Sequence, residues 1–267
     1  MLATTEASLI PSLAVYLSDA QAIVNGAGTY REKIELANSR WQALNRNTNA
    51  RFMQIRDLLS SLHGDLQRCA YCEDSLGHQI EHVFPKVLFP SVVFSWDNFL
   101  HACGSCNGTK LAKFSVFGPG GVVIELKNRQ PPDNEPLGTH PLLINPRVEN
   151  PLDFLILDLY ETFHFVPTGH CADRANYTIE TLQLNHRAGL VAARKTALAL
   201  YRSSIIEYEK EKSGAANLST LKKIAKRISC EMPHRTVWEE IKRQQARAPW
   251  LIDFRNFFLV HPEAVGW

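Results

Sequence analysis

The sequence has no run approaching the roughly 18 consecutive apolar residues that a membrane-crossing helix requires. Its first basic residue is Arg31, so no positively charged segment precedes an apolar stretch near the start. These two absences point away from a membrane protein or a secreted precursor and toward the cytoplasm. There is no internal repeat, no low-complexity segment and no G-x-x-x-x-G-K-[ST] loop. The glycine-rich "FGPGG" at 117–121 lacks the lysine that cradles phosphates, which excludes a P-loop nucleotide site in this chain. Cysteine is sparse, six in 267 residues, too few for the disulfide framework of a secreted domain. A chain of this length buries an adequate apolar core without such bridges.

Net charge is nearly absent at +2, but it is unevenly placed. From Arg187 to Arg247 there are 14 Lys and Arg against 6 Asp and Glu, a local net of +8, which leaves −6 for the remainder. A basic segment on an acidic body suits a phosphate-backbone partner, although an ordinary lysine-rich helical surface has the same composition.

Along the chain, "TYREKIELANSRWQAL" and "ARFMQIRDLLSSL" place apolar residues at three- and four-residue spacings, so residues 1–66 are expected to form a helical scaffold. From Gln67 to about Phe114 the periodicity stops and Gly, Pro, Cys and His punctuate short segments. "VVIEL" and "FLILDLYETFHFVP" are rich in β-branched and aromatic residues and predict a small sheet within 116–185. A proline-rich stretch near residue 131 separates them and is expected to be a flexible connection. Residues 186–267 read as basic helices, most clearly "NLSTLKKIAKRIS", with Leu221, Ile224, Ala225 and Ile228 on one face and Lys222, Lys223, Lys226 and Arg227 on another. The fold class expected is α+β, predominantly helical. "PWLIDFRNFFLVHPEAVGW" is unusually apolar for a chain end and is expected to offer a docking surface.

What is present, against that background, is a cysteine quartet. Cys69, Cys72, Cys103 and Cys106 form two Cys-x-x-Cys pairs separated by thirty residues. Each such turn presents two sulfurs to one point, and two turns complete the tetrahedral four-thiolate shell of a structural Zn2+ ion. Cys171 and Cys230 have no comparable partners and are expected to be core or incidental surface residues. A closed zinc site says nothing about catalysis, so any chemistry has to come from the residues that it positions.

Those residues are "IEHVFPK", "WDNFLHAC" and "CNGTK". The order Cys-x-x-Cys, acidic-His, Asn, Cys-x-x-Cys-Asn-x-x-Lys resembles an HNH endonuclease of the zinc-knuckle type, over about Gln67 to Phe114. The resemblance implies a ββα-metal core at 67–115, two short strands and a helix around one divalent ion. It implies that His82 is the general base, that Asn98 orients the imidazole through a side-chain or main-chain carbonyl, and that Glu81 and Asn107 are ligands of the catalytic ion. Two oxygen donors suit Mg2+ or Mn2+ better than a second zinc. Lys110, one turn after Asn107, is a candidate phosphate contact or a solvated helix lysine. His78 and His101 fall outside the motif and are expected to be structural or surface residues.

Flanking features, "CAYCE", "LLINPRVENP" and "YTIETLQLNHRAGLVAAR", resemble the HNH subunit of Septu-type and retron-associated antiphage systems and carry the similarity to about Arg194. The implied function is a metal-dependent endonuclease acting on nucleic acid, DNA ahead of RNA, in antiphage defence with a separate ATPase chain as partner. The alternatives are a restriction-type HNH endonuclease acting alone and a zinc-stabilised nucleic-acid-binding subunit with a silent site. A purely structural, partner-binding subunit is a third. The intact set Glu81, His82, Asn98 and Asn107 favours the nuclease, because neither binding nor scaffolding requires it.

Overall fold

The computed structural model describes the chain except residues 5–7, 63–66, 75, 127–132, 137–139, 170 and 215–216. Three helices come first: α1 (Pro11–Asn25), α2 (Tyr30–Leu44) and α3 (Ala50–Ser61). Proline at the first position of α1 costs no helical hydrogen bond. A capping box starts α2: the Thr29 hydroxyl accepts from the Glu32 amide and the Glu32 carboxylate accepts from the Thr29 amide. Asn49 caps α3. Leu13, Leu17, Ala20 and Val24 on α1, Trp41 on α2, and Phe52, Ile55 and Leu59 on α3 meet in one core, the stripe that a 3.6-residue period imposes.

The aperiodic segment forms a hairpin followed by a helix. Strand β1 (Gln79–His82) pairs antiparallel with β2 (Phe99–Ala102), in the register Gln79↔Ala102 to His82↔Phe99, and helix α4 (Gly104–Lys110) follows directly. Side chains alternate across a strand, and here the two faces serve different cores. Ile80 and Phe99 join the N-terminal helical core. Val83, Leu100 and Ala102 join a larger core with the four cysteines and the C-terminal helices.

The small sheet expected after residue 115 is divided. Strands β3 (Phe114–Phe117), β4 (Val123–Leu126) and β5 (His140–Pro141) form a three-stranded sheet in the order β4-β3-β5. Gly120 and Gly121 adopt φ of +69° and +79° in the β3–β4 turn, a region that favours glycine. Strands β6 (Leu155–Leu157) and β7 (Phe165–Pro167) form a separate antiparallel pair. The proline-rich connection near residue 131 lies largely outside the described residues.

Helices α5 (Ala172–Thr181), α6 (Ala188–Ser213), α7 (Leu218–Lys226), α8 (Arg235–Gln244) and α9 (Ile252–Val260) complete the chain. On and just beyond α7, Ile224 and Ile228 are buried while Lys222, Lys223 and Lys226 are exposed, as the pattern predicts. The apolar chain end divides between two uses. Leu251, Phe254, Phe257 and Phe258 fill the core, and Leu259, Val260, Ile252 and Val265 stay exposed. No described helix is long and apolar enough to cross a membrane.

Arg194 on α6 is 1 % exposed. Its guanidinium donates to the carbonyls of Phe163 (3.0 Å) and Leu184 (2.8 Å) and lies 4.5 Å from the Phe165 ring centroid. Burial draws its pKa down to about 10, which leaves it charged at neutral pH. Arg194→Met keeps the volume and orphans two carbonyls, so stability in urea unfolding should fall by about 3 kcal/mol. A loss under about 1 kcal/mol would show that those carbonyls find other donors.

Candidate functional site

The ligating sulfurs of Cys69, Cys72, Cys103 and Cys106 lie within 4.8 Å of one another, all four residues buried. Four thiolates around a tetrahedral zinc at about 2.3 Å stand about 3.8 Å apart, and Cys72 Sγ to Cys103 Sγ is 3.8 Å. The Cys106 amide donates to Cys103 Sγ at 3.4 Å, which fixes the second turn. Four soft donors converging at this spacing fit a structural zinc ion, so the quartet could hold one.

Arg187, immediately before α6, donates to Cys106 Sγ at 3.2 Å and to the Leu182 carbonyl at 3.2 Å. Burial opposes its charge, but the sulfurs of Cys106, Cys72 and Cys103 outweigh this and raise its pKa. A guanidinium against the cluster would offset part of the negative charge of the thiolate form. The sequence gives no direct signal for this contact, because Arg187 lies 81 positions from Cys106.

Beside the cluster, Gly77 lies so close to His101 that an added Cβ would stand 2.5 Å from the ring. His101 is buried on β2, and its Nδ1 has no described partner. Burial, with His78 nearby, lowers its pKa to about 4. His101 is therefore a neutral packing residue, while His78 is exposed.

Alternation along β1 puts Glu81 and His82 on opposite faces. On the helix side, Glu81 is 3 % exposed and forms an ion pair with Lys110 Nζ at 2.6 Å, with Tyr71 Oη donating at 3.3 Å. Lys110 is fully buried and also donates to the His82 carbonyl at 2.8 Å. Its ammonium therefore faces inward, and the structure removes it from the candidate phosphate contacts. Burial raises the Glu81 pKa, with Lys110 opposing. Asn107 on α4 donates to Gln79 Oε1 at 2.8 Å, which leaves its own amide oxygen uncommitted by that bond.

On the other side, His82 is 6 % exposed. Its Nε2 bonds to the Val93 carbonyl at 2.9 Å. A carbonyl only accepts, so Nε2 carries the proton and Nδ1 carries the lone pair. The Trp41 ring stands 4.2 Å away, edge-on, and Phe99 stands 5.4 Å away. Burial above all, then Lys86, lowers the pKa to about 3, so the imidazole is neutral at pH 7.

Asn98 does not touch the imidazole as expected: the orienting carbonyl belongs to Val93. The Asn98 amide instead clamps the intervening loop. Its oxygen accepts from the Phe84 amide (2.7 Å), and its nitrogen donates to the carbonyls of Phe84 (3.1 Å) and Val92 (3.0 Å). It thereby fixes the residue next to the acceptor of His82, and its main-chain carbonyl accepts from the Val83 amide at 3.0 Å.

An open cleft brings these groups together. Its lining includes Trp41, Asn45 and Arg56 from the N-terminal helical region, His82 and Lys86 from β1 and the following loop, and Asn107 from α4. The N-terminal helices are therefore one wall of the cleft as well as scaffold. Lys86 stands within "IEHVFPK", and nothing in its spacing marks it; Trp41 and Arg56 look like ordinary helix residues in the sequence.

Compared with known proteins, the chain is 37% identical over 57 residues to the Septu protein PtuB of Bacillus thuringiensis. The aligned part is 20% of this chain and 22% of that protein, so the match spans about a fifth of the relative's length. No protein-family profile matches the chain.

Elemental analysis of the purified protein should find about one zinc ion per chain, and Cys106→Ser should lose both the metal and the cooperative melt. Arg187→Gln should keep the stoichiometry and speed zinc transfer to a chromogenic chelator several-fold. Folded wild-type protein without zinc would rule out the metal site.

Proposed function

We propose that the chain is a metal-dependent HNH endonuclease that hydrolyses phosphodiester bonds of nucleic acid, with DNA ahead of RNA as substrate. The observation that carries the reading is His82: neutral, held in one tautomer by Val93, and lining an open cleft with Glu81 and Asn107. The antiparallel strands β1 and β2 with α4 supply the order that a ββα-metal core requires.

Hydrolysis needs an acceptor for the proton of an attacking water, and the Nδ1 lone pair is such an acceptor. As the ring takes that proton, the Val93 carbonyl stays bonded to Nε2–H and favours the imidazolium. A pKa near 3 makes a weak base, and an anionic substrate in the cleft raises it by favouring the charged ring. Asn98 acts at one remove, through the loop that delivers Val93.

Glu81 and Asn107 offer hard oxygen donors, and they fit Mg2+ or Mn2+. The Lys110 ammonium at 2.6 Å marks the Glu81 carboxylate as a place where positive charge is stabilised. Such an ion, when bound, supplies Lewis-acid polarisation of the phosphate and offsets charge on the departing 3′ oxygen. The same Glu81–Lys110 pair favours a second reading, a zinc-stabilised nucleic-acid-binding subunit whose carboxylate is permanently neutralised.

The likeness to the Septu protein supports a role in antiphage defence. In that setting this chain is the effector nuclease and a separate ATPase subunit is its partner. Exposed Leu259, Val260 and Ile252 on α9 are available for docking.

With Mg2+ or Mn2+, alone or with that partner, the wild-type protein should nick or degrade plasmid DNA. His82→Ala should reduce cleavage by at least about 100-fold with its melting transition retained. The acid limb of kcat/KM, which reports the free enzyme, should fall below pH 6, because the His82 pKa is depressed. Undiminished cleavage by His82→Ala would overturn the mechanism, and binding without cleavage under any divalent ion would favour the second reading.

A further inference from the structure

The cleft carries a charge imbalance that the proposed chemistry does not use. Among its lining residues Glu81 is the one acid, and its charge is offset by Lys110. The formal charges that remain on the lining are Lys86 and Arg56, both positive. They come from different parts of the chain, Lys86 from the loop after β1 and Arg56 from the middle of α3.

Neither forms a direct ion pair with a carboxylate among the described residues, although Glu81 acts on Lys86 and Asp57 on Arg56 at longer range. Lys86 is half-buried just after Pro85, and among the described residues it forms no ion pair and no hydrogen bond. It lies near enough to Glu81 and Lys110 to feel both charges, and burial lowers its pKa. Arg56 sits between Ile55 and Leu59, which anchor α3 in the N-terminal core. Its Nη2 donates to Asn45 Oδ1 at 2.5 Å, and Nη1 is buried with no hydrogen-bond partner among the described residues. Asn45 stands at the end of α2, where the backbone leaves the helix, so one helix end aims the cation of the next helix.

Burial lowers the pKa of both cations by more than the nearby carboxylates, Glu81 for Lys86 and Asp57 for Arg56, restore, and an anionic ligand in the cleft would offset that loss of hydration. An arginine and a lysine lining one cleft both suit phosphate oxygens, the guanidinium as a multiple donor and the ammonium as a point charge. Asn45, Asn47 and His78 add neutral polar groups to the same lining. The expected alternative, Lys110, is engaged internally.

We propose that Arg56 and Lys86 form a two-cation seat for the phosphate backbone of a nucleic acid, holding it in the cleft beside His82. The seat rests on the nucleic-acid reading of the site. It makes the N-terminal helical region part of the substrate channel, and it binds without regard to base sequence, because phosphate contacts carry none.

The test is binding without turnover. Full-length protein with its zinc content verified and no added divalent ion is titrated into a fluorescein-labelled 20-bp DNA duplex, and anisotropy is followed from 50 to 200 mM salt. Arg56→Gln and Lys86→Gln should each weaken binding at 50 mM salt several-fold. The double variant should reduce the slope of log K against log salt by about 1.8, or about 0.9 per lost phosphate contact. Arg31→Gln removes an exposed cation at the other end of α2, about 20 Å from Asn45, and should leave the slope unchanged. Lys86→Arg should retain the wild-type slope. Melting curves and zinc content establish that each variant is folded.

An unchanged slope in the folded double variant overturns the seat, even if the wild-type protein cuts DNA. A reduced slope in a protein that never cuts upholds the seat and fails the nuclease. Absence of wild-type binding to the duplex, to the matching single strand and to RNA of the same length overturns both.

Discussion

Four buried sulfurs within 4.8 Å are a condition the rest of the fold has to meet. Four thiolates at that distance would repel in a poorly hydrated interior, so binding of a cation there would tie the segment from 69 to 106 together. The protein contributes part of the positive charge through Arg187, and a zinc ion would contribute the larger part. Everything between the two Cys-x-x-Cys turns hangs from that point. This includes both strands of the hairpin and the loop that presents Val93.

Placing Glu81 and His82 side by side in a strand divides the chemistry by geometry. One side chain goes to α4 and meets Lys110 and Tyr71; the other goes to the N-terminal helices and meets Trp41 and Phe99. Each group is then tuned by a different neighbourhood. The carboxylate is neutralised by a cation, and the imidazole is kept uncharged by aromatic packing and burial. A loop insertion could not separate two adjacent residues so sharply.

Much of this was legible in the sequence, for stated reasons. The two Cys-x-x-Cys pairs announce their cluster because ligand spacing is local within each pair. The helical stripes of α1 to α3 and the basic face of α7 follow from periodicity, and "FGPGG" marks a turn that needs positive φ. What was not legible depends on distant residues meeting. Val93 serves through its backbone carbonyl, which no side-chain motif reveals. Lys110 reads as a helix lysine until the fold buries it. Arg187, Trp41 and Arg56 reach the site from outside the motif, across separations that no spacing rule covers. The aromatic chain end read as a docking surface, yet half of it closes the core, because composition does not say which face a residue takes.

The hairpin's two faces have a consequence for modularity. Ile80 and Phe99 are covered by the N-terminal helices, while Val83 and Leu100 are covered by the C-terminal core. A segment cut at 67 and 115 would leave both faces open to water and would lose Arg187, the cation beside Cys106. The motif is short enough to quote in one line, but it is not a cassette that can be moved to another scaffold. A break in the chain near either edge of the motif would sever the site from the two cores that hold it.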